Sequence, residues 1–232
     1  MTTAFDVELT GGRVSARLYE AADAARLGAT FVLAPGAGAP QTSVFMVAFA
    51  EGLAARGLDV VTFNFPYMEA RRRVPDRGQA LEACYGAVVR HVAASPALGG
   101  RPLVIGGKSM GGRIASQLVA HDAEASARVA ALVFLGYPLH PPGRPEKPRT
   151  AHLPLVRQPM LCVQGERDAL GTPAELAPVL AALPAESDLF VVDGGDHSFK
   201  VLRKLGISQA DVHARVQDGI ARWIAERLED AR

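Results

Sequence analysis

The sequence predicts an α/β fold: a three-layer α/β/α sandwich with a mostly parallel sheet, an antiparallel hairpin at the N-terminus and no cap domain. Three observations predict it. From residue 30 onward, short apolar runs of strand length alternate with helical stretches, the pattern of parallel strands joined by crossover helices. Two strand-like runs meeting at a glycine pair precede that alternation. Where a cap would be inserted, between the strands ending at Leu135 and starting at Met160, the chain is Pro-rich and has no helical period.

Taken in order, residues 4–9 and 13–19 read as the hairpin, turning at Gly11-Gly12. Residues 30–34 are a buried strand that runs into the turn Pro35-Gly36-Ala37-Gly38-Ala39-Pro40. A helix over 44–56 stops at Gly57, and the strand 59–63 leads into an irregular loop over 64–76. A helix over 77–94 is ended by Ser95-Pro96. The strand 102–106 passes through a sharp turn into a helix over 112–120, and 130–135 is the next strand. Residues 136–159 carry seven prolines and read as one long ordered loop. A strand over 160–164, a helix over 173–183, a strand over 188–192 and an amphipathic helix over 210–228 complete the chain. With no repeat, linker or shift in composition, residues 1–232 are expected to form a single domain.

Composition narrows the function classes. A formal net charge of +1 over 232 residues provides no field for nucleic acid or an anionic membrane surface, so neither partner is expected. No apolar run approaches a membrane span, and the N-terminus lacks the basic and apolar regions of a signal peptide; a cytoplasmic protein, monomeric or homodimeric, is expected. Cys84 and Cys162 fall in apolar settings and read as reduced, buried thiols. No His/Cys/carboxylate spacing suggests a metal, and no cofactor is expected.

The chemistry-bearing segment is Gly107-Lys108-Ser109-Met110-Gly111, a Gly-x-Ser-x-Gly pattern between a strand and a helix. That context suits a serine held in a strained turn with its Oγ exposed above the sheet. The overlapping Gly-Lys-Ser also ends a phosphate-loop pattern, but the glycine required five residues before Gly107 is Pro102, which has no amide hydrogen for a phosphate. A serine needs a base and a group to orient that base. Asp168 and His197 follow at intervals of 59 and 29 residues, each just past the carboxyl end of a strand. The expected catalytic set is therefore Ser109, Asp168 and His197, with Glu166 the nearest rival acid and Asp193 and Asp196 expected to brace the His197 loop. His91, His121 and His213 fall in helical stretches and read as solvated, while His140 and His152 in the Pro-rich loop could line the pocket but have nothing to orient them.

For an oxyanion hole the expected donors are the amide of Met110 and one from the Gly-rich turn, Ala37 with Gly36 as the alternative. Gly36, Tyr67 and Tyr137 lie on loops leaving the same edge and are expected to form the substrate wall of an open site. Arg71-Arg72-Arg73 reads as a solvated face.

The segments Ala34-Pro35-Gly36-Ala37-Gly38-Ala39-Pro40, Phe63-Asn64-Phe65-Pro66-Tyr67, Gly106-Gly107-Lys108-Ser109-Met110-Gly111-Gly112-Arg113 and Gly195-Asp196-His197-Ser198-Phe199 together resemble a family of small α/β hydrolases. That family is similar to dienelactone hydrolases and to the testis-expressed protein 30 group. The resemblance implies the α/β-hydrolase fold, a Ser109–Asp168–His197 triad and ester-type hydrolysis without a cofactor. The family often has His where this chain has Pro35, and dienelactone hydrolases use a cysteine nucleophile, so their substrate does not transfer to Ser109. The resulting expectation is a serine hydrolase of the carboxylesterase type, acting on a small-molecule ester through an acyl-enzyme. The alternatives are a non-catalytic interaction module on the same fold and a small serine peptidase.

Overall fold

A computed structural model describes residues 1–21, 26–202, 204 and 206–230. Its centre is an eight-stranded sheet in the order β1-β2-β4-β3-β5-β6-β7-β8. The strands are β1 (Thr2–Leu9), β2 (Gly12–Tyr19), β3 (Thr30–Ala34), β4 (Asp59–Phe63), β5 (Leu103–Lys108), β6 (Val129–Leu135), β7 (Met160–Gly165) and β8 (Ser187–Val192). β1 and β2 pair antiparallel, β2 joins β4 antiparallel, and every later pairing is parallel. The hairpin register pairs Leu9 with Gly12. The turn is therefore Thr10-Gly11 rather than Gly11-Gly12, and Gly11 takes the positive φ of 90° that glycine tolerates best.

Every residue of β3, β4, β5 and β7 is buried, as a parallel sheet covered on both faces requires. The strand period of two sends alternate side chains to opposite layers. Phe31 and Leu33 pack with α1 (Val44–Ala54) and the last helix, Gln209–Asp230; Val32 and Ala34 pack on the other side. There the covering helices are α3 (Gly78–Ala94) and α4 (Met110–His121). Each fully buried Phe or Leu in these layers contributes about 1.5–3 kcal/mol. Numbered in chain order, the remaining helices are α2 (Pro66–Glu69), α5 (Ala123–Arg128) and α6 (Pro173–Ala181), and the C-terminal helix is α7.

Two short helices escape the sequence reading because a single turn has no apolar period. α2 begins at Pro66, whose missing N–H costs nothing at a helix start. α5 is capped by Asp122, which accepts from the Ala125 amide at 3.0 Å. Between β6 and β7 the structure has loop and one 3₁₀ turn, Leu153–Leu155, and no capping helix. Among the described residues no helix is long and apolar enough to cross a membrane.

The sheet order reverses at β3 and β5. The chain leaves β3 toward β4 on one side and returns to place β5 on the other. The loops after these two strands diverge at their carboxyl ends, and such a switch point opens the crevice where α/β sheets bind ligands.

Candidate active site

Ser109 stands at that crevice, between the end of β5 and the first residue of α4. Its backbone is at φ 50°, ψ −114°, a conformation costing on the order of 1–3 kcal/mol for a residue with a Cβ. Contacts on both sides hold it there. The Ser109 amide donates to Leu135 O of β6 at 3.0 Å, and Ser109 O accepts from the Arg113 amide at 3.2 Å. The flanking glycines are required by space. A Cβ on Gly107 would lie 2.3 Å from Ala34 O, and one on Gly111 would lie 2.5 Å from Ala34 O and 2.7 Å from Pro35 O. The end of β3 presses directly on the turn, and only glycine fits at these two positions.

His197 Nε2 lies 2.9 Å from Ser109 Oγ, and His197 Nδ1 lies 2.7 Å from Asp168 Oδ2. Asp168 is fully buried. Its Oδ1 accepts from the Leu170 amide at 2.8 Å and its Oδ2 from Gln164 Nε2 at 2.9 Å. A carboxylate so engaged accepts only, so the neutral imidazole donates from Nδ1 and presents Nε2 as the acceptor for the Ser109 hydroxyl. The structure thus brings together Ser109, Asp168 and His197, which lie on three separate loops.

The loop carrying His197 is fastened at several points. Asp196 Oδ1 accepts from the amides of Ser198 and Lys200 at 2.8 and 2.9 Å. Asp168, not Glu166, meets the imidazole; Glu166 accepts from the Gly194 amide at 2.6 Å, so the rival acid serves as a loop brace. Phe199, at φ 62°, is completely buried and anchors the loop into the layer beneath α1.

Gly36 and Ala37 line a cleft of about 330 Å³ together with Ser109 and His197. The Met110 amide opens α4, where the helix itself supplies no acceptor. The apolar wall of the cleft comes from Phe45 and Met46 at the start of α1, which sequence reasoning missed. Their only sequence signal is that they follow the Gly-rich turn by a few residues. Larger hollows exist elsewhere. One of about 510 Å³ lies against Pro102 and Pro159, at the amino ends of β5 and β7, away from the Ser109–His197 pair.

Tyr67 and Tyr137, expected on the substrate wall, are 0% and 1% exposed and do not line the cleft. The Tyr67 hydroxyl accepts from the Gly38 amide at 3.0 Å and so braces the Gly-rich turn from behind; burial raises its pKa. The Tyr137 hydroxyl donates to Arg149 O at 2.8 Å. Its amide donates to Gln164 Oε1 at 2.8 Å, and Gln164 in turn holds Asp168. The physical reason is general: the ring prefers the core and the hydroxyl finds a nearby partner there.

Lys108 is the other missed residue. Its stem lines the same cleft, and its largely buried ammonium donates to His197 O. His152 in the Pro-rich loop is also buried, 2.7 Å from Ser116 Oγ of α4. Cys84 and Cys162 are free, buried thiols, and burial pushes Cys84 up to about 12. Among the described residues no group of three or more His, Cys, Asp or Glu is placed to hold a metal ion.

The architecture has solved counterparts. A dienelactone hydrolase from Anabaena variabilis superposes with a TM-score of 0.75 at 19% identity, covering 97% of each chain. XC6422 from Xanthomonas campestris, described as a serine hydrolase without lid, gives 0.71 at 21% identity, over 96% of this chain and 94% of that one. Est1E from Butyrivibrio proteoclasticus, solved with ferulic acid bound, gives 0.74 at 12% identity over 97% and 99%. At these identities the likeness is one of fold. The family match is by sequence: an alpha/beta hydrolase domain is recognised over residues 27–225, which runs from just before β3 into α7 and includes Ser109, Asp168 and His197. The chain therefore belongs to the alpha/beta hydrolase domain family.

Proposed function

We propose that this protein is a serine hydrolase that cleaves a carboxylic ester, or a related acyl bond, of a small molecule through an acyl-enzyme. The observation that carries the reading is the hydrogen-bonded chain from Ser109 through His197 to buried Asp168, at 2.9 and 2.7 Å, at the switch point of the sheet. In this reading Ser109 Oγ attacks the acyl carbon while His197 Nε2 takes its proton. Asp168 holds the imidazolium. The amides of Met110 and Ala37, with Gly36 as the alternative to Ala37, receive the negative charge on the carbonyl oxygen. The proton on His197 then passes to the leaving alcohol. Water attacks the acyl-Ser109 ester with His197 again as base, releasing the acid and restoring the serine.

The small, partly apolar cleft of Phe45 and Met46 suits a modest acyl or aryl group rather than a folded polypeptide. The single continuous sheet supports reading the chain as one domain, and two buried free thiols suit a reducing compartment such as the cytoplasm. The test is covalent labelling by a fluorophosphonate, with turnover of short p-nitrophenyl esters and of aminoacyl anilides alongside. Labelling that is lost in Ser109→Ala, with turnover of esters over anilides, is the expected result. No labelling of the wild-type protein, or undiminished labelling of Ser109→Ala, would overturn it.

A further inference from the structure

We propose that Lys108 is a positioning residue for the general base: its ammonium ties the main chain of His197 to β5, so that Lys108 and Ser109 hold that histidine at two points. The proposal rests on the catalytic reading of Ser109, His197 and Asp168. Lys108 Nζ donates to His197 O at 2.5 Å, while the next residue along, Ser109, meets His197 Nε2 at 2.9 Å. One rigid strand end therefore fixes both the backbone and the ring of a residue on an irregular loop. The ammonium also lies 5.6 and 5.9 Å from the ring centroids of Phe45 and Phe199, within cation–π range of both.

Packing alone does not explain a lysine here. The residue is 8% exposed, and burying an ammonium is costly unless the charge is engaged. A methionine of similar length would fill the same space without that cost. Burial lowers the Lys108 pKa to about 8. The charged groups facing it oppose this shift: Asp168 on the loop after β7 and Asp196 on the loop after β8. His197 is the titratable group in direct contact, and His213 of α7 stands behind Phe45 at 5.8 Å between ring centroids. As the ammonium loses its proton, the bond to His197 O loses its charge assistance.

The experiment compares wild type, Lys108→Met and Lys108→Arg, measuring kcat and KM on a p-nitrophenyl ester and the rate of Ser109 labelling, each across pH. Lys108→Met is expected to lower kcat roughly ten- to a hundredfold, as misplacement of a catalytic group does, with KM within about threefold. The wild-type profile is expected to break near pH 8, and the break is expected to vanish in Lys108→Met. Lys108→Arg, which keeps a charged donor, is expected to recover part of kcat. A Met variant with wild-type kcat and an unchanged pH profile would overturn the proposal. Should that variant fail to fold, a folded Lys108→Leu with wild-type kcat and labelling rate would overturn it equally. Wild-type protein that does not label at any pH would instead overturn the serine-hydrolase reading beneath it.

Discussion

Changing Asp168 to asparagine removes one charge and almost no volume, and the hydrogen bonds around it set the size of the effect. Asp168 Oδ1 accepts from the Leu170 amide, and Oδ2 accepts from both Gln164 Nε2 and His197 Nδ1. An asparagine has one acceptor oxygen to serve both positions. With its oxygen toward Leu170, the amide NH₂ faces Gln164 and the imidazole. Nδ1 must then accept, the ring proton moves to Nε2, and His197 can no longer take the Ser109 proton. With the amide flipped, the NH₂ confronts the part-buried Leu170 N–H and leaves that donor without its acceptor. In the first orientation Gln164 Nε2 loses one acceptor but keeps Tyr137 O and Gly171 O, so the wrong tautomer is the cheaper outcome. The same change in serine proteases costs about 10⁴ in kcat, or roughly 5.4 kcal/mol of barrier. Asp168→Asn is expected to lose a comparable factor in ester turnover and in the fluorophosphonate labelling rate, with its circular dichroism unchanged. Glu166→Gln, which keeps an acceptor for the Gly194 amide, is expected to stay within about threefold of wild type. A folded Asp168→Asn that loses less than about tenfold would refute the tautomer argument and the assignment of Asp168 with it.

Two further predictions concern stability. Tyr85→Phe removes a buried hydroxyl that accepts from the Gly106 amide at 2.9 Å and lies 2.7 and 2.6 Å from the carbonyls of Val32 and Gly106, linking β3 to β5 beneath the elbow. It is expected to destabilise the protein by about 1–3 kcal/mol, read from the urea midpoint; an unshifted midpoint would contradict this. Burial, the largest cause, and nearby His121 and Arg113 lower the His152 pKa from 6.5 to about 4. The unfolded chain thus binds a proton that the folded protein refuses, and stability falls as pH drops from 6.5 toward 4. His152→Gln is expected to flatten the acid limb of thermal stability between about pH 7 and 4.5, whereas an acid limb as steep as wild type would count against it.

Much of this molecule could be read from local signals. Apolar runs bounded by turn residues located the inner parallel strands, because burial on both faces demands near-continuous apolar sequence there, and the glycine turn marked the hairpin at the edge. The glycines at 107 and 111 marked the elbow because the space there forbids a Cβ. Asp168 and His197 stood out because each follows a strand directly, and strand ends converge on one edge of the sheet.

What the sequence left undecided depends on partners far along the chain. The two loop tyrosines looked like wall residues by their place on that edge. The fold turns Tyr67 toward Gly38 and Tyr137 toward Arg149 and Gln164, contacts that no local pattern encodes. Lys108 read only as the middle of a phosphate-loop look-alike. Its role depends on a carbonyl 89 residues away, brought to it when β8 closes the edge of the sheet. By itself the sequence determined the order of the strands and of the longer helices, and named three residues that the structure brings together at the crevice. Only the tertiary structure decided which side chains form the cleft and which stand behind it, because periodicity reports burial while the identity of a buried partner is a long-range fact.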